Sequence, residues 1–283
     1  MTTPPNGLVV DAIGVSVPGR PVTADPELAS ALSAIFADRD PGHLSGLAIT
    51  PMFNIVPIYS CMFLAVDTVT PKEARPRIVH GAHDIRFVNP IRVGATLTAS
   101  ATVVGVRSAR AGAVVSVRIL VSDDRGVVTS EQWATAIVRG EKFAGDIGTS
   151  APEFDLTPES AESADHTVLT GLHAQLPFRF ADVSGDRHSI HLDDLAARNA
   201  GFDGAIMHGL CTMGLASSAV VEAVCPSRPA SLVRLGGRFT APAYPRGTLT
   251  TTIRRLASTR YGVSATADDA TVLISKAGAE VIG

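Results

Sequence analysis

An internal repeat constrains the fold of this chain more than any other feature of the sequence. Residues 86–98 read RFVNPIRVGATLT, and residues 238–250 read RFTAPAYPRGTLT. Aligned at a constant offset, the two segments share six identities in thirteen positions, and each has a glycine in its turn, Gly94 and Gly247. Similarity at a fixed spacing indicates a duplicated structural unit. We therefore predict two copies of one fold, the alternative being that both segments merely share strand–turn chemistry.

The middle of the chain differs in composition from both halves. Residues 141–170 are acidic, rich in Ser and Pro, and show no helical or strand period, which is typical of a linker. We predict an N-terminal domain over residues 1–145, a linker over residues 146–170 and a C-terminal domain over residues 171–283.

The local patterns within each half predict an α+β fold. Runs rich in Val, Ile and Thr, separated by short turns, indicate antiparallel strands. Each half also has one apolar helix candidate ahead of its strands, and a helix that is apolar on most faces is normally buried. We expect each repeat to wrap an antiparallel sheet around one buried helix. The strand candidates are 97–106, 113–122, 127–138, 248–258 and 271–276, and the helix candidates are 52–66 and 209–224.

Charge and cysteine content narrow the class of partners. The 283 residues carry a net charge of −3, which argues against binding to nucleic acid or to an anionic membrane. The three cysteines are widely spaced and form no CxxC pair, so we predict neither a disulfide framework nor a zinc site. With no signal peptide and no long apolar span in view, we expect a cytoplasmic protein.

The residues that carry chemistry are concentrated in residues 178–214, FRFADVSGDRHSIHLDDLAARNAGFDGAIMHGLCTMG. Asp186, His188, His191 and His208 lie within this segment, beside turn-forming glycines. Near its end, Gly209 begins the second helix candidate. The first N–H groups of a helix have no partner inside it, so a buried helix start suits a developing negative charge.

This segment resembles the hydratase-2 signature of MaoC-like enzymes, roughly S-G-D-x-N-P-x-H, then A-G-F, then H-G-L-C-T-x-G. Two positions depart from the signature, because His188 replaces the usual Asn and Ser189 replaces the usual Pro. The matching positions are Ser184, Gly185, Asp186, His191, 200–202, 208–212 and Gly214.

The resemblance implies a double hot-dog protein that hydrates trans-2-enoyl-CoA to (3R)-hydroxyacyl-CoA, or catalyses the reverse dehydration. It implies that Asp186 and His191 activate one water and that the Gly209 amide stabilises the thioester oxyanion. The substrate would be an acyl-CoA or an acyl-carrier thioester, no metal or redox cofactor is needed, and the protein would be a monomer or a homodimer. We expect substrate-binding roles for Ser184, Gly185, His188, His208 and Arg238.

The N-terminal half shows no equivalent site. Sliding the two helix candidates together places Phe53 and Asn54 opposite His208 and Gly209, and no G-D-x-x-x-x-H arrangement precedes them. We therefore predict one active site in each chain.

Other interpretations remain open at this stage. A D-x-H-x-x-H-x-D spacing from Asp186 to Asp193 offers metal ligands, and Cys211 is either an activated thiol or a small core residue. Arg234 and Arg238 either meet a cofactor phosphate or form solvated surface pairs. At the level of the whole protein, the alternatives to a hydratase are a thioester hydrolase and a non-catalytic acyl-thioester-binding subunit.

Overall fold

The computed structural model describes residues 7–152, 164–226 and 228–282 of the chain. Its strands pair antiparallel throughout and form a single sheet. The strands in that sheet are β1 Ser16–Pro18, β2 Val22–Thr23, β3 Ile78–Phe87, β4 Thr96–Ala109, β5 Gly112–Asp123, β6 Val128–Arg139, β7 Asp146–Gly148, β8 His166–Gly171, β9 Leu232–Phe239, β10 Thr248–Arg255, β11 Arg260–Thr266 and β12 Val272–Val281. Their spatial order is β1-β4-β5-β6-β3-β9-β12-β11-β10-β8, with β2 and β7 also paired to β4.

Helices precede the long strands in each half, as predicted. The described α-helices are α1 Pro26–Ile35, α2 Pro41–Leu44, α3 Met62–Val69, α4 Leu176–Ser184, α5 Ser189–Leu192, α6 Asp194–Asn199 and α7 Gly209–Val224. Short 3-10 segments lie at Val10–Ala12, Pro51–Ile55, Pro57–Ser60, Lys72–Arg77 and Pro229–Ser231.

The two halves meet along β3 and β9, about a pseudo-twofold axis. Asp84 of β3 pairs directly with Gly236 of β9. These two residues are equivalent under the same constant offset that aligns Arg86 with Arg238. Strands β4-β5-β6-β3 on one side therefore correspond to β10-β11-β12-β9 on the other. The predicted α+β class with two repeats is confirmed.

The turn glycines of the repeat adopt the same backbone conformation in both copies. Gly94 has φ +76° and Gly247 has φ +74°, in the left-handed region that favours glycine. The repeat therefore preserves a turn that needs this conformation, and the one-residue displacement of the glycine in the alignment is absorbed in the loop before β4 and β10.

Helix α7 is the buried helix of the C-terminal half, and it has the bounds that the sequence predicted. Most of its side chains are buried, and it packs against β8, β9 and β10. Its small residues allow close approach: a Cβ on Gly214 would overlap the ring of Phe36, which is 1% exposed. The poor helix propensity of α7 is thus offset by tertiary packing.

Replacing Gly214 by Ala is expected to destabilise the protein by about 2 kcal/mol. Overpacking a buried site costs up to about 3 kcal/mol, and only about 1 kcal/mol returns from the better helix propensity of Ala. Urea unfolding of Gly214→Ala measures the difference. Ser218→Ala, at a half-buried position of the same helix, should stay within about 0.5 kcal/mol of the parent protein. Equal stability of Gly214→Ala and the parent would contradict the packing of Phe36 on this glycine.

The helix candidate at 52–66 is not one continuous helix, which corrects the prediction. Pro57 has no N–H to donate and its ring clashes with the preceding turn, so the chain forms two 3-10 segments before α3 begins at Met62. Among the described residues no single helix is long and apolar enough to cross a membrane. The pair Pro51–Ser60 and Met62–Val69, bent by 42°, meets that test on length and composition alone.

The predicted linker over 146–170 is partly sheet. Asp146–Gly148 pairs with β4 of the N-terminal half, and His166–Gly171 pairs with β10 of the C-terminal half. Both are edge strands with mostly exposed side chains, so they lack the apolar alternation that identifies strands in a sequence. Between these two strands, residues 153–163 of the predicted linker lie outside the described residues.

A buried ion pair crosses the junction between the halves. The guanidinium of Arg234 donates two hydrogen bonds to the Asp84 carboxylate, with the Nε–Oδ1 distance at 2.9 Å. Arg234 is 9% exposed and Asp84 is 7% exposed. The pair is buried, so of the two alternatives for Arg234 the solvated surface pair is wrong, while contact with a phosphate stays untested. The sequence of a strand does not show which residue of the neighbouring strand each side chain will meet, so the pairing of Arg234 with Asp84 could not be predicted from the sequence.

Candidate active site

The turn after α4 places the first candidate residue. Helix α4 ends at Ser184, and Gly185 continues with φ +77° while its N–H donates to the Ala181 carbonyl. The Ser184 hydroxyl donates to the Phe180 carbonyl at 2.7 Å and accepts the N–H of Asp186 at 3.2 Å. Ser184 and Gly185 therefore fix the turn that presents Asp186.

Asp186, His191 and His208 come together. One oxygen of Asp186, one nitrogen of His191 and one nitrogen of His208 all lie within 4.8 Å of one another. The backbone carbonyl of Asp186 accepts a hydrogen bond from His208 Nε2 at 3.0 Å, and its Oδ1 accepts the N–H of His188 at 3.2 Å. The carboxylate is thus held at one side while its other oxygen is left for a ligand.

The hydrogen bonding of His191 fixes its tautomer. His191 Nδ1 lies 2.9 Å from the carbonyl oxygen of Ile206 and must carry the proton. Its Nε2 is then a lone-pair acceptor. Burial, followed by the nearby His208, lowers the pKa of His191 to about 3, although the charge of Asp186 opposes this shift. His191 is therefore a neutral base at neutral pH.

His208 packs directly against this base. The two imidazole rings are stacked with centroids 3.8 Å apart. Because His208 Nε2 donates to Asp186, its Nδ1 is an acceptor, and this buried atom has no hydrogen-bond partner among the described residues. Burial lowers the pKa of His208 to about 4. His208 is thus a buried, neutral histidine beside the base, with one acceptor atom that the described residues leave unpaired, and its substrate-binding role stays a prediction.

The remaining polar residues of the segment lie at helix starts. His188 is exposed, caps α5 through a contact with the Ile190 N–H, and has its ring 6.2 Å from that of His191. Asp193 caps α6 by accepting the Ala196 N–H at 2.7 Å. The alternative of a metal site made from the spacing of Asp186 to Asp193 is therefore not formed, because His188 and Asp193 do not join the cluster.

The cluster of Asp186, His191 and His208 also has the donor types of a small metal site. Its geometry fits that chemistry poorly. Imidazoles bind a metal in the plane of the ring, and the stacked rings of His191 and His208 aim their nitrogens side by side instead of at one centre.

The amide of Gly209 is open to a ligand. Gly209 is the first residue of α7, and the residue before it, His208, provides no side-chain cap. No carbonyl that the structure describes outside the helix accepts the Gly209 N–H. A Cβ here would lie 3.3 Å from the ring of Phe239, which covers this end of the helix. The helix start is thus a donor site beside the acid–base cluster.

Cys211, in the first turn of α7, is fully buried, and burial raises the pKa of its thiol. It is a core residue and not an activated thiol. The last predicted site residue, Arg238, lies exposed on β9 between Ala82 and Ser275. No described contact joins it to the cluster, so a substrate-binding role for Arg238 stays a prediction.

The corresponding place in the N-terminal half is filled by structural hydrogen bonds. Asn54 Oδ1 accepts the Thr129 hydroxyl at 2.7 Å, and the Asn54 carbonyl accepts Gln132 Nε2 at 2.9 Å. Within the described ranges, no second cluster of His, Cys, Asp or Glu resembles that of Asp186. At this place the N-terminal half thus has structural hydrogen bonds, whereas the C-terminal half has the cluster of acid–base residues.

Aromatic residues around the cluster were missed by sequence reasoning. The ring of Phe180 lies 4.9 Å from that of His208, and Tyr59 of the N-terminal half meets Phe180 edge-on at 6.0 Å. Phe180 lies only six residues before Asp186 in the sequence, and this short separation could have indicated that it lies near the site. Tyr59 lay inside an apolar helix candidate, and nothing local marked it as part of the site.

Comparison with protein families gives two matches to this chain. The family model described as the MaoC like domain matches residues 161–274. The model described as the MFE-2 hydratase 2 N-terminal domain matches residues 43–140. The two matches fall on the two halves of the sheet.

Individual relatives agree with these matches. The chain is 32% identical over 185 residues to 3-hydroxyacyl-thioester dehydratase Y of Mycobacterium tuberculosis, covering 63% of this chain but only 62% of the relative's length. A MaoC-like dehydratase structure from Phytophthora capsici has a TM-score of 0.84 at 20% identity and covers 97% of this chain and 98% of that one. A Mycobacterium tuberculosis protein with a double hotdog fold has a TM-score of 0.58 at 16% identity and covers 94% of this chain and 95% of its own.

Proposed function

We propose that this chain, whose halves match the MaoC like domain and the MFE-2 hydratase 2 N-terminal domain, hydrates trans-2-enoyl thioesters to (3R)-hydroxyacyl thioesters, or catalyses the reverse dehydration. The observation that carries this proposal is the pairing of a carboxylate, Asp186, with a neutral imidazole, His191, whose Nε2 lone pair is left free. Both lie at the uncapped start of helix α7. Reversible addition of water to an unsaturated thioester needs these three elements.

The proposed reaction proceeds as a syn addition of one water. His191 Nε2 accepts a proton from the water while the water oxygen bonds to C3, and the C2–C3 π electrons move through C2 to the thioester oxygen. The Gly209 N–H stabilises the resulting enolate oxygen. Protonated His191 then returns the same proton to C2, so that one water supplies both added groups. Asp186 accepts the second O–H of the water and orients it.

The proposed reaction needs only the substrate, one water and the residues named above. Proton transfer and oxyanion stabilisation complete the reaction, so no metal or redox cofactor is required. We propose an acyl-CoA or acyl-carrier thioester as the substrate. The sequence departures at His188 and Ser189 leave the turn around Asp186 intact, because His188 keeps its N–H bond to that carboxylate.

The test is the absorbance of the enoyl thioester at 263 nm, followed with purified protein and crotonyl-CoA or a longer trans-2-enoyl-CoA. Hydration removes the conjugated double bond, so the absorbance falls while the thioester survives, and chiral analysis of the product tests the (3R) assignment. A parallel thiol assay detects hydrolysis, which would release free CoA. Release of thiol, or an unchanged absorbance for every chain length, would overturn the proposal.

A further inference from the structure

Tyr59 brings a phenol from the N-terminal half to the catalytic residues of the C-terminal half. It lies in the 3-10 segment Pro57–Ser60, which is held by a hydrogen bond from the Ser60 hydroxyl to the Pro57 carbonyl. Its ring meets Phe180 edge-on, with an interplanar angle of 77°. Phe180 packs in turn on His208, so aromatic contacts link the Tyr59 ring to the cluster, and Asp186 is close enough for its charge to act on the phenol.

The phenol oxygen is left without a structural task. None of the described residues is hydrogen-bonded to Tyr59, although the side chain is only partly exposed. The other two tyrosines differ: the Tyr244 hydroxyl accepts the Asp203 N–H at 3.2 Å, and Tyr261 lies on β11, with no described contact to the cluster. The half-buried phenol therefore has an O–H that a bound water or ligand can accept.

The side chains of the cluster offer acceptors but no donor. The free oxygen of Asp186, Nε2 of His191 and Nδ1 of His208 all carry lone pairs. A water among them can donate both of its protons to such acceptors. Of its two lone pairs, one must attack C3 of the substrate, and the other has no donor from the cluster.

We propose that Tyr59 is a further catalytic residue, which donates its O–H to the reacting oxygen. That oxygen belongs to water in hydration and to the 3-hydroxyl group in dehydration. With two O–H groups bound by Asp186 and His191 and one lone pair bound by Tyr59, the tetrahedral geometry of water leaves its last lone pair directed at C3. The inference rests on the proposed function.

The state of the phenol suits a donor. Burial, then the negative charge of Asp186, raises the pKa of Tyr59 well above its usual value. Tyr59 therefore keeps its proton at neutral pH and can donate it in a hydrogen bond. A residue from one half then completes the site of the other, which gives the N-terminal half a chemical contribution as well as a structural one.

Tyr59→Phe removes the O–H and keeps the ring against Phe180. We expect kcat to fall about 10- to 100-fold in both directions, as misorientation of a reactant does, with KM changed less than threefold and an unchanged melting temperature. Tyr261→Phe is the matched control and should retain parental kcat. A kcat for Tyr59→Phe within twofold of the parent, or a loss confined to KM, would overturn the assignment.

A second measurement separates this inference from the hydratase proposal. With 3-fluorotyrosine at position 59, binding of butyryl-CoA, a saturated thioester that cannot react, should shift the ¹⁹F resonance. The same label at position 261 should not respond. If the parent shows no hydration and the label at 59 still shifts, the proposed reaction fails, and its hydrogen bond from Tyr59 fails with it, although Tyr59 then lies in a thioester-binding site. A silent label at 59 with butyryl-CoA demonstrably bound would place the phenol outside the thioester site and overturn the inference.

Discussion

Asp186→Asn and His191→Asn are each expected to lower kcat/KM for a trans-2-enoyl-CoA by about 10³-fold, within the range that general acid–base groups contribute. Asn at 186 keeps an oxygen to accept the His188 N–H but removes the carboxylate charge. Asn at 191 keeps an N–H near the Ile206 carbonyl but removes the Nε2 lone pair. Initial rates at 263 nm, with substrate well below KM, measure the loss.

Controls for these two variants lie close by in the chain. Asp182→Asn changes an exposed carboxylate on α4 that pairs with Arg187, and His173→Ala changes an exposed histidine just before that helix. Both should retain parental rates. If Asp186→Asn keeps more than about a tenth of the activity, Asp186 does not orient the reacting water; the same result for His191→Asn would show that His191 does not transfer its proton.

Sequence patterns predicted the features of the fold that are encoded locally. The small and apolar residues of 209–224 gave the bounds of α7, because the glycine that opens it and its uninterrupted run of non-proline residues are local signals. The repeat predicted two equivalent units, since Gly94 and Gly247 occupy the same kind of turn, one in each half. The turn chemistry at Ser184 and Gly185, with the family signature, placed Asp186 and His191 in one site.

The features that sequence reasoning missed depend on contacts between distant segments. Tyr59 and Phe180 meet only because the two halves fold against each other, and Arg234 finds Asp84 only across the central strand pair. Edge strand β8 escaped detection because exposed strands lose their apolar alternation. Such pairings are set by tertiary packing and not by the spacing of residues along the chain.

A chain of hydrogen-bonded side chains in the N-terminal half, buried except for the half-buried His80, also holds its histidines neutral, as the catalytic cluster does. Gln132 Nε2 donates to the Asn54 carbonyl, so its Oε1 accepts from His83 Nε2 at 2.8 Å. His83 Nδ1 then accepts from His80 Nε2 at 3.1 Å. Protonating His83 would set two N–H groups against each other. Burial lowers the pKa of His83 to about 4, and it lowers that of His80 well below its usual value.

The free energy of unfolding is therefore expected to fall steeply as the pH drops from about 6.5 towards 4. An unfolded histidine takes up its proton near pH 6.5, whereas His83, His191 and His208 do so only near pH 4 or 3 when folded. Between these values the unfolded state binds more protons, so stability declines by about 1.4 kcal/mol per pH unit for each histidine, or about 2 kcal/mol each at pH 5. Urea unfolding at half-unit pH intervals gives the slope.

His83→Gln should reduce that slope by about one proton. His166→Gln, which changes an exposed histidine on β8, should leave the slope unchanged. If the unfolding free energy of His83→Gln depends on pH as steeply as that of the parent, then the hydrogen bonds to His80 and Gln132 do not hold His83 neutral.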